Sequence, residues 1–230
     1  MSKITDRPHV SINMAMSADG KVSTYRRETF SLGSEEDRYL MDVIRAKMDA
    51  VIVGAETLRR DGWAMHIRYP ELQKKRIAKG KGLNPLNVVL SSDLNLKADR
   101  EFFTRRDTKK LIITTRVAPP ARLRGFGKLA DVIALPRKRI RPGDVLDILW
   151  GRGCRRVLVE GGGTLNFSFF EAGLVDDLYV TVTPRILGGA GSPTVADGKG
   201  FLARSHPRLE LVSSRRRGNE VFLKYRVVSR

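Results

Sequence analysis

Nine residues, Arg155 to Gly163, restrict the fold more than any other part of the chain. A short β-branched run (Arg156-Val157-Leu158-Val159) ends in an acid, Glu160, and three consecutive glycines, Gly161-Gly162-Gly163. Thr164-Leu165-Asn166 and an apolar-rich segment follow, closed by Gly173. The pattern predicts a buried strand, a tight turn, and a helix that opens near Thr164. Glycine loses more backbone entropy on folding than any other residue, so three together imply a close backbone approach. Amide groups at a strand-to-helix junction, with the positive end of the helix dipole behind them, suit a phosphate. The same glycines also suffice for a sharp turn and nothing more, and the stretch alone does not choose. There is no Gly-Lys-Ser/Thr of a Walker loop, and no G-x-G-x-x-G with an acid about 20 residues on.

The remaining segments repeat the alternation. His9 to Met16 reads as a first strand, and Ser17-Ala18-Asp19-Gly20-Lys21 as a turn. Ser34-Glu35-Glu36-Asp37 starts a helix running to about Lys47. Asp49 to Gly54 is a short strand, and Ala55 to Gly62 a short helix, giving a second strand-glycine-helix junction. Trp63 to Pro85 reads as a long polar loop. Strands are expected at Asn87–Leu90, Lys110–Thr115, Asp131–Leu135 and Asp177–Thr183, with helices at Pro119–Phe126 and Arg141–Gly151. A second Gly-rich loop spans Arg185 to Pro193, and Leu209–Ser213 with Val221–Val228 forms a terminal hairpin. The prediction is a three-layer α/β fold, its sheet mostly parallel with an antiparallel C-terminal hairpin, in one domain of residues 1–230 with its core at about 8–228.

Composition bears on function chiefly by exclusion. The net charge of +18 raises nucleic acid as a partner, but the basic runs (Lys74-Lys75-Arg76, Arg137-Lys138-Arg139, Arg215-Arg216-Arg217) carry no RNA-binding, zinc-finger or helix-turn-helix pattern. A basic field also suits phosphorylated small ligands. No apolar run approaches the roughly 18 residues of a membrane span. The opening Met-Ser-Lys-Ile-Thr leads toward the first strand without a signal-peptide pattern, and one cysteine, Cys154, allows no internal disulfide. A cytoplasmic protein is expected. There is no G-x-S-x-G, and three histidines with one cysteine give neither a hydrolase triad nor a zinc ligand set, so no metal is expected. Asp19, Asp61 and Glu160 stand at turns or strand ends, where a carboxylate serves either as an acid-base group or as a cap.

Four ordered segments, taken together, resemble one family. They are Met16-Ser17-Ala18-Asp19-Gly20-Lys21, Asp49 through Asp61, Val159-Glu160-Gly161-Gly162-Gly163-Thr164-Leu165, and Pro184-Arg185-Ile186-Leu187-Gly188-Gly189. The chain is similar, over nearly its whole length, to the pyrimidine reductases of riboflavin biosynthesis, which have a dihydrofolate-reductase-like fold. The resemblance implies an NADPH-dependent oxidoreductase that converts the ribosyl group of a ribosylamino-pyrimidine 5′-phosphate to ribityl. It implies a homodimer, and NADP contacts at Thr57, Asp61 and Ser92 and along Gly161-Gly162-Gly163-Thr164-Leu165-Asn166. It further implies substrate contacts at Thr29, Arg45, Met65, Arg68 and Glu160; Glu160 and Asp19 are the candidate catalytic groups. The deaminase fused to this domain in some relatives leaves no trace: H-x-E and P-C-x-x-C are absent. The basic segment from Lys74 to Leu83 has no counterpart in the family pattern. Two other readings remain: a dihydrofolate-reductase-like enzyme acting on another pterin or pyrimidine, and a basic nucleic-acid-binding protein.

Overall fold

The computed structural model describes residues 6–228. The signal-free start read from Met1 to Thr5, and the outer ends of the expected 1–230 domain, lie outside the described residues. The described residues form two compact units, one of residues 6–9 and 42–158, the other of residues 10–41 and 159–228.

In the first unit, β2 (Ala50–Gly54), β3 (Leu86–Leu90), β4 (Lys110–Thr115) and β5 (Asp131–Leu135) pair in parallel, in the order β5-β4-β3-β2, with β6 (Arg156–Val159) beside β2. Parallel strands covered on both faces need continuous apolar runs rather than alternation. Val51, Ile52, Val88, Val89, Leu111, Ile112 and Ile113 are accordingly buried. The crossovers carry α2 (Ala55–Asp61), α3 (Pro70–Ile77), α4 (Glu101–Thr104), α5 (Pro120–Phe126) and α6 (Pro142–Gly151). Helix α2 stops where Gly62 takes φ 74° and returns its amide to the Leu58 carbonyl, the left-handed cap that glycine adopts without a Cβ penalty.

The expected loop from Trp63 to Pro85 is corrected here: its middle is α3, started by Pro70 at a first-turn position. The periodicity is hidden because this helix buries Leu72 together with Arg76, which is only 2% exposed. The Arg76 guanidinium donates to the carbonyls of Met48 (2.5 Å), Gly82 (2.8 Å) and Ala46 (3.2 Å). It thus serves the carbonyls just beyond α1 (Glu35–Arg45) that a helix end leaves without partners. Lys81 completes the segment by pairing with Asp49 at 2.6 Å. The basic insertion is therefore structural in part. Helix α4 was also not foreseen; its adjacent buried Phe102 and Phe103 show no helical period.

In the second unit, β1 (His9–Ser17) runs parallel to β7 (Asp177–Thr183), and β9 (Glu220–Val228) pairs antiparallel with both β7 and β8 (Arg208–Arg217). Helix α7 (Gly163–Glu171) follows the glycine run and buries Phe167, Phe169 and Phe170. A mostly parallel set of strands with an antiparallel C-terminal hairpin matches the sequence expectation. Helix α1 ends at Arg45 rather than Lys47.

Candidate active site

In the second unit the glycine run turns directly into a helix. Val159 is buried, Glu160 is half-buried, and Gly161 has φ 90° and a cis peptide to Gly162. A Cβ on Gly161 would come within 3.1 Å of the Met14 sulfur, close enough that the methionine would have to give, and the positive φ itself favours glycine. Gly162 is the extended N-cap of α7, and its carbonyl accepts the amides of Leu165 and Asn166 at 2.9 and 3.1 Å. No side chain caps this helix. A helix start whose capping residue offers no side chain suits an anionic ligand in that place.

The loop after β7 covers the first turn of α7. The Asp197 amide donates to the Gly163 carbonyl at 3.0 Å, and the Asn166 side-chain amide donates to the Val195 carbonyl at 2.7 Å. Asp197 in turn accepts from the backbone amide and hydroxyl of Thr194. A Cβ on Gly163 would lie 2.6 Å from the Thr194 carbonyl oxygen and would run into the Asp197 carboxylate. The third glycine is thus required by the loop and not by the turn.

Asp19 fixes the other end of that loop. Its carboxylate accepts from the Ser17 hydroxyl at 2.5 Å and from the amides of Leu187 and Gly188 at 3.1 and 2.7 Å. These three donors, Ser17 foremost, hold its pKa down at about 2. Backbone bonds from Ala18 to Arg185 and from Val22 to Pro193 continue the attachment. Asp19 is an anion throughout the physiological range and cannot donate a proton there.

In the first unit the residues from Trp63 to Tyr69 have no regular structure. Side chains from other elements satisfy their backbone instead. Glu101 accepts the Ala64 amide at 3.3 Å; Asn87, fully buried, both accepts from the Met65 amide (2.8 Å) and donates to its carbonyl (2.9 Å). Arg45 donates to the His66 carbonyl at 3.0 Å, and Asn84 and Gln73 take the amide and carbonyl of Ile67, each at 2.8 Å. Asp42 takes the Arg68 amide at 2.8 Å. Such pairing is what the buried part of an irregular backbone requires.

Arg45 and Arg68 are thereby brought onto one carboxylate, while Met65 is held by Asn87 one residue before the His66 carbonyl that Arg45 binds. The organising group is Asp42, which sequence reading missed: it is fully buried and accepts from Arg68 Nε (3.0 Å), Arg68 Nη2 (3.1 Å) and Arg45 Nη1 (3.4 Å). Thr57 and Asp61 share α2, where Arg60 grips the Asp61 carboxylate through two bonds of 2.7 and 2.9 Å. Ser92 is exposed after β3, its carbonyl fixed by the hydroxyls of Thr114 and Thr115. Thr29 lies in the irregular exposed stretch before α1. Thr164 is exposed and Leu165 half-buried in the first turn of α7. Among the described residues no group of histidine, cysteine and acidic side chains could hold a metal, and no helix is long and apolar enough to cross a membrane.

The comparisons with known proteins bear on this geometry. The sequence model of the RibD C-terminal domain matches residues 8–223. A 2,5-diamino-6-ribosylamino-4(3H)-pyrimidinone 5′-phosphate reductase of Archaeoglobus fulgidus is 36% identical over 198 residues, covering 86% of this chain and 90% of the relative. One of the same name from Aquifex aeolicus is 33% identical over 231 residues, covering 98% and 99%. In structure, a pyrimidine reductase-like protein of Corynebacterium diphtheriae superposes with a TM-score of 0.85 at 23% identity, over 97% of this chain and 93% of that one. Dihydrofolate reductase of Enterococcus faecalis shares the fold more distantly, with a TM-score of 0.52 at 11% identity, over 96% and 97%. With a matched family extending over almost all of the described chain, and relatives of full length, the protein belongs to the RibD C-terminal domain family, the pyrimidine reductases of riboflavin biosynthesis.

Proposed function

We propose that the chain is an oxidoreductase that uses NADPH to reduce the ribosyl side chain of a 2,5-diamino-6-ribosylamino-pyrimidinone 5′-phosphate to ribityl, as a single reductase domain acting in the cytoplasm as a homodimer. The observation that carries the reading is the turn Gly161–Gly163, which delivers the start of a helix uncapped by any side chain directly after the strand-end acid Glu160. The names of the full-length relatives supply the substrate class.

NADPH fits the residues present, because backbone amides and a helix N-terminus can hold a pyrophosphate without a cation. Gly161, Gly162, Gly163, Thr164, Leu165 and Asn166 would contact it, with Thr57, Asp61 and Ser92. When bound it supplies the hydride for the sugar carbon. The chain's own part is binding and orientation. Glu160 holds the substrate beside the glycine turn, one residue from the cofactor contacts, so that a single rigid peptide sets the two reactants in register. Arg45 and Arg68 offer guanidinium groups to the substrate's polar edge or phosphate, and Met65 and Thr29 add to its enclosure. Asp19 acts as an ionised carboxylate that keeps the loop after β7 on the turn.

The reading is tested by NADPH oxidation with the diamino-ribosylamino-pyrimidinone phosphate and, separately, with dihydrofolate. Turnover of the former and none of the latter is expected; the reverse preference would refute it.

A further inference from the structure

The cluster around Asp42 does something that the assignment of Arg45 and Arg68 to substrate binding does not by itself require. A carboxylate has two oxygens and about four lone-pair directions. Asp42 uses all of them on two residues: Oδ2 accepts the backbone amide and Nε of Arg68 (2.8 and 3.0 Å), and Oδ1 accepts Arg68 Nη2 and Arg45 Nη1 (3.1 and 3.4 Å). With no solvent exposure and no acceptor capacity to spare, it is not a ligand group. It meets Arg68 through the Nε–Nη2 edge of the guanidinium, the bidentate arrangement that fixes the plane of the fork. The opposite edge therefore faces away from Asp42, and 32% of the Arg68 side chain stays exposed. Arg45 is set by the same carboxylate and by the His66 carbonyl, with 9% of its side chain exposed. Two cations that would repel each other are thus held close by one anion, at the end of a loop whose backbone is pinned residue by residue from Ala64 to Arg68.

We propose that Asp42 is a positioning residue for substrate recognition: it orients Arg45 and Arg68 toward the anionic substrate before the substrate arrives. The inference rests on the reading that Arg45 and Arg68 contact the substrate. Preorganised guanidinium groups lose less side-chain freedom on binding than mobile ones, so the contribution falls on substrate affinity and orientation and not on cofactor affinity.

The test measures the substrate KM, kcat and the NADPH dissociation constant for Asp42→Asn, Arg68→Lys and the double variant. Asp42→Asn keeps the shape of the side chain and removes its charge. Expected are a rise in substrate KM of about tenfold or more for each single variant, an unchanged NADPH dissociation constant, and a double variant little worse than either single one, since two groups acting as a unit are not additive. A tenfold effect of Arg68→Lys with none of Asp42→Asn would overturn the positioning role. So would a loss of NADPH affinity equal to the rise in KM, which marks a merely structural role. If Arg45→Lys and Arg68→Lys both leave KM unchanged in an active enzyme, the substrate assignment of the arginines fails instead, and the inference with it. If Asp42→Asn does not fold, the wild-type protein still decides. Arginine Nε–H spectra, with Arg68 identified by its absence in Arg68→Lys, should show a slowly exchanging Arg68 Nε–H without substrate. Rapid exchange there would overturn the proposal.

Discussion

Replacing Arg76 should damage the protein more than replacing any other residue of the basic segment Lys74 to Leu83. The side chain is 2% exposed and its bonds to Met48 (2.5 Å) and Gly82 (2.8 Å) are short, with a longer one to Ala46 at 3.2 Å. Hydrogen bonds to a charged donor contribute about 1.5–3 kcal/mol each, so the two short ones amount to about 3–6 kcal/mol. Burial opposes this by disfavouring the charge and pulling the guanidinium pKa below its ordinary value. Removing the cation recovers part of that cost, which brings the expected net loss for Arg76→Met to about 2–4 kcal/mol. Methionine keeps most of the packing volume, so the loss reports the bonds. Lysine can serve only part of the carbonyl set, and Arg76→Lys should lose about half as much. Urea unfolding followed by circular dichroism reads both. Lys75→Met, on the exposed side of the same helix, should fall within about 0.5 kcal/mol of wild type. If Arg76→Met also stays within that range, the buried guanidinium is not what closes α1, and the account of this segment is wrong.

Other perturbations address the site. Gly163→Ala should push the loop of Thr194 and Asp197 off α7, because its Cβ has 2.6 Å to the Thr194 oxygen; a raised NADPH dissociation constant in fluorescence titration is expected, and an unchanged one would contradict the loop's supporting role. Glu160→Ala should leave NADPH binding intact and lower turnover by about 10²-fold or more, the scale of a lost orienting contact; a loss confined to cofactor binding would move Glu160 to the other side of the reaction. Asp19 sets a pH dependence of definite sign. Its folded pKa of about 2 lies below the ordinary carboxylate value of 3.8, so its contribution is present above about 4 and is lost as pH falls through about 2. Acid-unfolding curves of wild type and Asp19→Asn should therefore converge toward pH 2 and separate above pH 4, and curves offset equally at every pH would contradict the carboxylate's part.

The reasons some features were legible and others not are physical. The parallel strands announce themselves because strands buried on both faces must be apolar throughout, as Val51-Ile52-Val53 and Leu111-Ile112-Ile113 are. The glycine turn was visible because Gly161 needs a positive φ that few other residues accept. Helix α3 stayed hidden because an arginine fills the place of a core residue. Asp42 stayed hidden for the same kind of reason: a carboxylate on a helix reads as a solvated face, and only its partners 26 residues away show otherwise. The order of the loop from Trp63 to Tyr69 depends on Asn84, Asn87, Gln73 and Glu101, whose pairing is set by the tertiary structure and not by spacing.

The central claim is hydride transfer from NADPH to the sugar carbon of the pyrimidine phosphate. NADPH carrying deuterium at the nicotinamide C4 position, incubated with the protein and the diamino-ribosylamino-pyrimidinone phosphate, tests it most directly. The account predicts one deuterium at C1′ of a ribityl product, from one of the two C4 positions only. Deuterium found on the pyrimidine ring, or consumption of NADPH with none in the sugar, would contradict it.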